Sequence, residues 1–260
     1  MNLLLSDPAF LSVAAAISGG GGYDSDAQAY ITAVEAADGQ ALETAVKDAI
    51  NAFVVGCKAD GIWNAIKASC ILAGARTLNG ALVPLTGTAP TNYNFLSSDY
   101  NRKTGLKGDV TTKYLDSNRA ANADPTNDFH LSIYQTEVFT SGIGIIGQDN
   151  TGFRTAIYTS GSAIRTVKVA LPGTNSVGFL GGSRSSSTSY EFRRLGTTST
   201  ITANSGAPSS SNIMVFRRDA AVSDGVNSRL SFYSIGESLD LALLDARVTT
   251  LINAFSTAIP

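Results

Sequence analysis

The chain has 260 residues, of which 43% are hydrophobic and 15% are charged, so it is long enough for one large β-type domain and too apolar to be disordered. Its 19 basic and 21 acidic residues give a net charge of −2, which argues against a dedicated nucleic-acid binder. With one histidine and two cysteines, a zinc site built from these residue types would need nearly every candidate in the chain.

The first 22 residues form an apolar segment that ends in a glycine run. Asp7-Pro8 interrupts the segment and no Lys or Arg lies near its start, which argues against a signal peptide. One interpretation of this segment is a loosely packed tail. The many apolar side chains favour a second interpretation, an anchoring arm at 1–22 with Gly19–Gly22 as a flexible tether. The predicted anchoring residues are Leu3, Leu4, Leu5, Phe10, Leu11, Val13 and Ile17.

Residues 23–75 have the pattern of a helical region. The S-x-x-Q sequence at 25–28 fits a capping box that opens a first helix, and the Asp-Gly pair at 38–39 would end it. Apolar residues at 3.6-residue spacing over 42–53 predict a second helix, and the helical pattern continues to about residue 70.

Cys57 and Cys70 lie in apolar stretches of this region. Two cysteines in a chain of this length do not make a disulfide scaffold, so we interpret both as small buried hydrophobic residues. Their low number indicates synthesis in a reducing cytoplasm. No apolar run in the chain approaches the roughly 20 residues needed to span a bilayer, so we expect no membrane insertion.

Residues 76–237 consist of short strand-like runs separated by Gly, Pro, Thr and Asn. Apolar and polar side chains alternate along 129–134, 167–171 and 230–233. Turn signals recur about every 8–12 residues, which predicts a two-sheet antiparallel, jelly-roll-like sandwich. Further candidate strands are 142–148, 153–159, 176–182, 189–195 and 212–218.

A helix is predicted over residues 238–260, with Ser238 as its candidate N-cap. Its apolar stripe is expected to pack on the helical region or on the sandwich. The stripe comprises Leu241, Leu244, Val248, Leu251, Ile252 and Phe255. The predicted fold class is therefore mainly β, a sandwich flanked by an N-terminal helical region and a C-terminal helix.

Charge is unevenly distributed along the chain. Residues 24–60 hold seven acids and two lysines, whereas residues 154–229 hold nine basic residues and three acids. Two solvated faces of opposite sign explain this pattern, and so do contacts between neighbouring copies of the chain. In the second interpretation the arginine donors are Arg193, Arg194, Arg217 and Arg218.

Residues suited to catalysis are few. His130 lies in an alternating strand, and the sequence has no G-x-S-x-G motif. Glu137 and Glu191 each stand alone in their strands, whereas glycoside hydrolysis needs two carboxylates projecting from one site. The Gly-rich stretches at 144–147 and 178–182 do not precede a helix, so neither is a phosphate loop. We expect no catalytic residue, no cofactor, no metal and no enzyme activity.

Two stretches leave ligand binding open. Residues 116–128 carry Asp and Asn oxygens of the kind that bind calcium, but they lack the EF-hand order, so a solvated loop between strands is favoured. An aromatic set fits either a sugar-stacking surface or packing within a sheet. This set is Tyr93, Phe95, Tyr100 and Tyr114.

Four segments of the sequence resemble one family. The D-x-D-A-Q-A-Y-I sequence at 24–31 and the K-x-x-G-I-W element at 58–63 resemble the opening of a group of tailed-bacteriophage and prophage virion structural proteins. GFLGGSR at 178–184 resembles a glycine-containing strand of that family. Residues 231–259 resemble its closing strand and helix and carry its S-I-G-x-x-L-D sequence at 234–240. The resemblance covers roughly residues 24–259.

This resemblance implies a concanavalin/laminin-G-like β-sandwich in a virion component, such as an appendage or tail-fibre protein, without enzyme activity. It carries over no ligand residue. It implies a homo-oligomer, with a trimer favoured over a dimer, and other virion proteins as partners through the arm. The alternatives are a capsid decoration protein and a carbohydrate-binding module for host adsorption, with a host surface glycan as a further partner.

Overall fold

The computed structural model describes residues 22–149, 154–158, 161–166, 169–170, 175–219 and 224–260. All seven predicted anchoring residues, from Leu3 to Ile17, lie outside these ranges, as do Val167 and Leu171 of one predicted strand. Of the helices that the structure describes, none is long and apolar enough to cross a bilayer.

The described helices flank the strand-rich part of the chain. They are α1 (Ser25–Asp38), α2 (Thr44–Ala59), α3 (Leu78–Ala81) and α4 (Leu241–Ala258), with 3₁₀ turns at Trp63–Ala65 and Ser97–Asp99. The N-cap of α1 is Asp24, whose side chain accepts a hydrogen bond from the backbone N–H of Asp26. Ser25 is the first residue inside the helix, so the predicted capping box at 25–28 is wrong. The helix ends at Gly39, whose φ of +68° suits glycine, so the predicted break at this pair is confirmed.

Fifteen strands are described. They are β1 (Ile66–Ile71), β2 (Thr91–Tyr93), β3 (Tyr100–Asn101), β4 (Gly105–Lys107), β5 (Tyr114–Ala120), β6 (Phe129–Glu137), β7 (Gly144–Asp149), β8 (Arg154–Tyr158), β9 (Gly161–Thr166), β10 (Val169–Ala170), β11 (Gly178–Arg184), β12 (Ser189–Arg194), β13 (Thr197–Thr202), β14 (Asn212–Val215) and β15 (Arg229–Gly236).

The strands form two antiparallel sheets. The larger sheet has the order β13-β12-β11-β6-β15-β4-β3, and β1 also pairs with β15. The smaller sheet has the order β10-β9-β8-β7-β14-β5-β2. Neighbours in each sheet are often distant in sequence, as β6 and β15 are, which is typical of a jelly-roll-like sandwich. The predicted mainly β fold class is confirmed.

Alternating side chains from both sheets form the sandwich core. Leu131, Ile133 and Leu230 contribute from the larger sheet, and Leu115 and Ile157 from the smaller one, all in one buried cluster. Full burial of each such side chain contributes about 1.5–3 kcal/mol. The outward-facing partners along the same strands are therefore the side chains available for function.

A second core lies between the helices and the outer face of the larger sheet. Leu244, Val248 and Phe255 of α4 are fully buried in one cluster with α2 residues, as predicted for the apolar stripe. Phe53 of α2 meets Phe232 of β15 edge-on, with ring centroids 5.8 Å apart. The helices at the two ends of the described chain thus cover one face of the larger sheet.

The N-cap of α4 differs from the prediction. Asp240 accepts hydrogen bonds from the backbone N–H groups of Ala242 and Leu243. Ser238 instead donates its hydroxyl to Asp128, over 2.7 Å. Ser238 lies two residues before this N-cap and bonds Asp128 instead, so the prediction of Ser238 as N-cap is wrong.

The sequence predicted helix up to about residue 70, but the structure has a strand at the end of this region. Residues 66–71 form β1, whose backbone pairs with residues 232–236 of β15. Cys70 therefore lies in a strand, while Cys57 lies in α2, and both thiols are free and buried as expected. Apolar residues four apart suit a helix, but an even spacing also places them on one face of a strand. Backbone pairing with β15 makes residues 66–71 a strand and not a helix.

Most predicted strands are present, but several others escaped prediction. The six candidate strands at 129–134, 142–148, 153–159, 176–182, 189–195 and 212–218 correspond to β6, β7, β8, β11, β12 and β14. The predicted loop at 116–128 begins within β5. The short β2 and the TTSTIT sequence of β13 lack the apolar alternation that sequence reasoning requires.

Candidate functional site

His130 is a structural residue of the larger sheet. It is fully buried, its Nδ1 lies 2.6 Å from the Glu237 carbonyl oxygen, and its Nε2 lies 2.9 Å from Ser234 Oγ. Burial disfavours the charged imidazolium and lowers the pKa of His130 to about 4, and the Glu237 carbonyl opposes this only in part. Through these two contacts His130 links β6 to β15 and to the segment that leads into α4.

We expect His130 to stay neutral down to about pH 5 in the folded protein. Its folded pKa of about 4 lies below the ordinary value of about 6.5. The unfolded chain therefore takes up the proton first, and the stability due to neutral His130 is complete above about pH 6.5 and lost as the pH falls toward 4. Because the chain has one histidine, its C2–H resonance in a one-dimensional NMR titration is unambiguous. A midpoint near 6.5 would contradict the buried environment.

The Asp side chains of 116–128, whose oxygens left calcium binding open, are engaged in separate contacts. Asp124 is buried and pairs with Arg119, and Asp128 binds Ser238. Asp116 accepts hydrogen bonds from the backbone of Asn118 and the side chain of Asn212. Within the described ranges, no group of three His, Cys, Asp or Glu side chains is arranged to hold a metal ion.

Three of the four arginines predicted to contact neighbouring copies are held within the chain. Arg193 donates to Asp245 of α4 over 2.7 Å, and Arg218 pairs with Asp224. Arg217 lies over an aromatic ring of the smaller sheet. Acids of the helical region are also paired within the chain: Asp24 with Lys58, Glu43 with Arg102 and Asp60 with Arg247. These arginines therefore have partners within the chain, and their contacts with neighbouring copies stay a prediction.

The predicted aromatic set divides into two pairs. Phe95 is buried against Phe216, with ring centroids 4.9 Å apart. Tyr100 is half-buried and donates its hydroxyl to the Ala75 carbonyl over 2.7 Å. These two side chains serve packing. Tyr93 and Tyr114 belong to the other pair, at the surface of the smaller sheet.

Tyr93 and Tyr114 form a stacked pair at the edge of that sheet. They are directly opposite each other on β2 and β5, and their rings are 4.4 Å apart and within 5° of parallel. The Arg217 guanidinium lies 4.3 Å from the Tyr114 ring centroid, so a cation supports the second tyrosine. Tyr93 remains 39% exposed. Tyr114 is half-buried and packs against the sandwich core, so Tyr93 is the more accessible ring of the pair.

Polar side chains adjoin this pair. Asp116 lies two residues beyond Tyr114 on the same face of β5, and Thr91 of β2 lies opposite it. Asn118, which adopts a φ of +55°, donates to the Ala89 carbonyl and to Thr91 Oγ1. We call Thr91, Tyr93, Tyr114, Asp116 and Arg217 the tyrosine face. It combines an exposed ring with nearby hydrogen-bonding groups.

Sequence reasoning identified the two tyrosines but not Arg217 as a member of this surface. Arg217 follows β14, about a hundred residues after Tyr114 in the chain, and no local pattern connects them. Only the pairing of β14 with β5 brings the guanidinium over the ring.

No family model matches the sequence, and no curated protein sequence matches it at a significant level. Among solved structures, the chain is similar to domain 4 of AbnA, a GH43 extracellular arabinanase from Geobacillus stearothermophilus in complex with arabinotriose. The identity is 10% and the TM-score 0.37, over 64% of this chain and 82% of that one.

The chain is also similar to a Trypanosoma rangeli sialidase in complex with sialic acid, at 11% identity and a TM-score of 0.45, over 75% of this chain and 34% of that one. A third similar structure is the botulinum neurotoxin serotype D binding domain, at 12% identity and a TM-score of 0.41, over 72% of this chain and 52% of that one. The chain thus spans about a third of the sialidase and half of the toxin domain. These likenesses concern the β-sandwich alone.

Proposed function

We propose that this chain is a non-enzymatic adsorption module of a tailed-phage virion and that its tyrosine face is the surface that binds a host glycan. The observation that carries the binding role is the stacked Tyr93–Tyr114 pair at an open sheet edge. Tyr93 offers an apolar ring with a polar hydroxyl, which suits the apolar face and hydroxyl rim of a sugar.

The tyrosine face is held in place before any ligand arrives. Tyr114 lies between Tyr93 and the Arg217 guanidinium, so the rings are restrained from both sides. Binding to a preorganised ring costs less conformational entropy than binding to a free side chain. Asp116 and Thr91 add hydrogen-bonding groups that can orient sugar hydroxyls, and a carboxylate acceptor makes the stronger bonds.

The virion role is supported by the resemblance of residues 24–259 to tailed-phage structural proteins and by the apolar arm at 1–22. In this proposal the arm fixes the chain to other virion proteins, and the sandwich projects toward the host as part of a trimeric appendage or fibre. A capsid decoration protein is the alternative, with the same arm and a different position on the particle.

Tyr93→Ala is expected to weaken binding to host surface polysaccharide about fivefold or more, because truncating a central aromatic contact costs more than about 1 kcal/mol. The measurement is retention of the purified full chain on a glycan array and on extracted host polysaccharide. Tyr23→Ala is the matched control, since this half-buried tyrosine bonds Asp48 beside the helical layer.

Two results would count against the binding proposal. Absence of retention by the unmodified chain on any host polysaccharide overturns glycan adsorption. Equal retention by the Tyr93→Ala and unmodified chains would place the glycan elsewhere on the molecule.

Deletion of residues 1–18 is expected to leave the sandwich folded and to abolish incorporation into particles. The reason is that the arm supplies seven large apolar residues separated from the helices by a glycine tether. Quantification of the chain in purified particles, with circular dichroism of the truncated protein as control, measures both effects. Normal incorporation of the truncated chain would refute anchoring by the arm.

A further inference from the structure

A serine-lined cleft lies on the other sheet from the tyrosine face. It has a volume of about 330 Å³ and lies where the β11–β12 connection meets the segment leading into α4. We call it the serine cleft. Its principal polar lining is Ser183, Ser185, Ser186, Ser189, Glu191 and Asp240.

The walls of the serine cleft are fixed by buried hydrogen bonds. The fully buried Arg184 guanidinium donates to the carbonyls of Ser186 and Ser189, over 2.8 and 3.0 Å. On the opposite wall, Ser183 Oγ accepts a hydrogen bond from the backbone N–H of Leu239, over 3.1 Å. The cleft is therefore formed by the fold itself, without help from a ligand.

The charge of the serine cleft is negative. Glu191 alternates with the buried Tyr190 and Phe192, so its side chain points away from the core. Its backbone pairs with the neighbouring strands, but among the described residues its carboxylate has no hydrogen-bond or ion-pair partner. One Asp240 oxygen caps the Ala242 and Leu243 N–H groups, which therefore cannot bind an anion. Among the described residues that line the cleft, none is Lys or Arg.

These features select for a ligand that donates hydrogen bonds and carries no negative charge. Sugar hydroxyls can donate to the two carboxylates and accept from the serine hydroxyls. The apolar side chain of Leu239 also lines the cleft and can contact a sugar ring. A volume near the lower end of the about 300–1,000 Å³ of ligand pockets suits one ring rather than an oligosaccharide.

We propose that the serine cleft binds one neutral sugar unit, with Glu191 as its principal hydrogen-bond acceptor. This inference deepens the proposed function and rests on it for the choice of a glycan as ligand, but it concerns a separate site. The tyrosine face belongs to the smaller sheet and the serine cleft to the larger one, so one chain would contact a host glycan at two places.

The test is saturation-transfer NMR of the full chain with glucose, galactose, mannose and N-acetylglucosamine, and with glucuronic and N-acetylneuraminic acids as anionic probes. We expect at least one neutral sugar to bind and neither acid to bind. Glu191→Gln should weaken the neutral sugar about tenfold, because a hydrogen bond to a charged acceptor is replaced by a neutral one. Glu137→Gln is the matched control, since this exposed carboxylate of the same sheet pairs with Lys107.

Several outcomes would overturn the serine cleft as a sugar site. They are binding by none of the neutral sugars, binding that Glu191→Gln leaves unchanged, and preferential binding of the acidic sugars. A second experiment titrates calcium chloride into the protein by calorimetry. If calcium binds, Glu191→Gln abolishes that binding and no sugar binds, the serine cleft is a cation site and the sugar proposal is wrong.

The two proposals fail in distinguishable ways. If Tyr93→Ala reduces retention on host polysaccharide and no neutral sugar binds the cleft, the cleft assignment is wrong and the adsorption function stands. If a neutral sugar binds through Glu191 but host polysaccharide is not retained, the adsorption function is wrong and the cleft remains a sugar site.

Discussion

Phe255→Ala is expected to lower the free energy of unfolding by about 3–5 kcal/mol, because it removes a fully buried aromatic side chain and leaves a cavity. The ring lies in the core between α4 and the other helices and also contacts the backbone at Gly74. Gly74 has a φ of +87°, and a Cβ there would lie 2.8 Å from the ring. Urea unfolding followed by circular dichroism measures the change.

Leu243→Ala is the matched control for this prediction. Leu243 belongs to the same helix but is 37% exposed, so its truncation should cost less than about 1 kcal/mol. Equal losses of stability for the two variants would show that the apolar stripe of α4 does not anchor the helix.

Arg184→Met is expected to cost about 2–5 kcal/mol, because it removes the hydrogen-bond donors of a buried cation while leaving its acceptors in place. The guanidinium donates to the carbonyls of Ser186, Ser189 and Ala203 and lies 5.3 Å from the Tyr190 ring centroid. Methionine fills much of the same space, so the loss reports mainly on the hydrogen bonds. Thermal unfolding of both proteins gives the difference.

Arg194→Met provides the comparison on the same strand, since Arg194 is only half-buried at the end of β12. We expect this variant to unfold within about 0.5 kcal/mol of the unmodified protein. A small effect of Arg184→Met would contradict the view that the buried cation holds residues 185–189 in place.

The elements that sequence reasoning located correctly have strong local patterns. The stripe of α4 recurs along a helix of eighteen residues, and the sequence of β6 alternates along 129–134, so each pattern has enough repeats to exclude the other period. The break at Gly39 follows from the left-handed backbone that glycine adopts easily. The two-sheet class followed from the spacing of many such short segments.

The elements that escaped prediction depend on partners far along the chain. β1 is a strand because its backbone pairs with β15, about 165 residues later. β13 is exposed along most of its length and has no apolar pattern, yet it pairs with β12 over six residues. In both cases the backbone hydrogen bonds of the neighbouring strand decide the structure, and a single sequence does not display them.

The candidate site was likewise predictable in part from the sequence and in part only from the structure. Tyr93 and Tyr114 were recognisable as possible sugar-stacking residues, and so, equally, were Phe95 and Tyr100. Their different roles follow from where β2, β5 and the segments around them lie relative to the core. The serine cleft had no sequence signal, because its walls come from residues 183–191 and 238–240.

The amino-acid sequence alone thus determined the mainly β class, the helices at both ends and the burial of the α4 stripe, since these follow from local spacing and hydrophobicity. Tertiary structure alone decided which arginines are engaged within the chain, which tyrosines stay at the surface and which serines line a cleft. The physical reason is that these properties depend on contacts between segments tens to hundreds of residues apart, which the free energy of the whole packed sandwich selects.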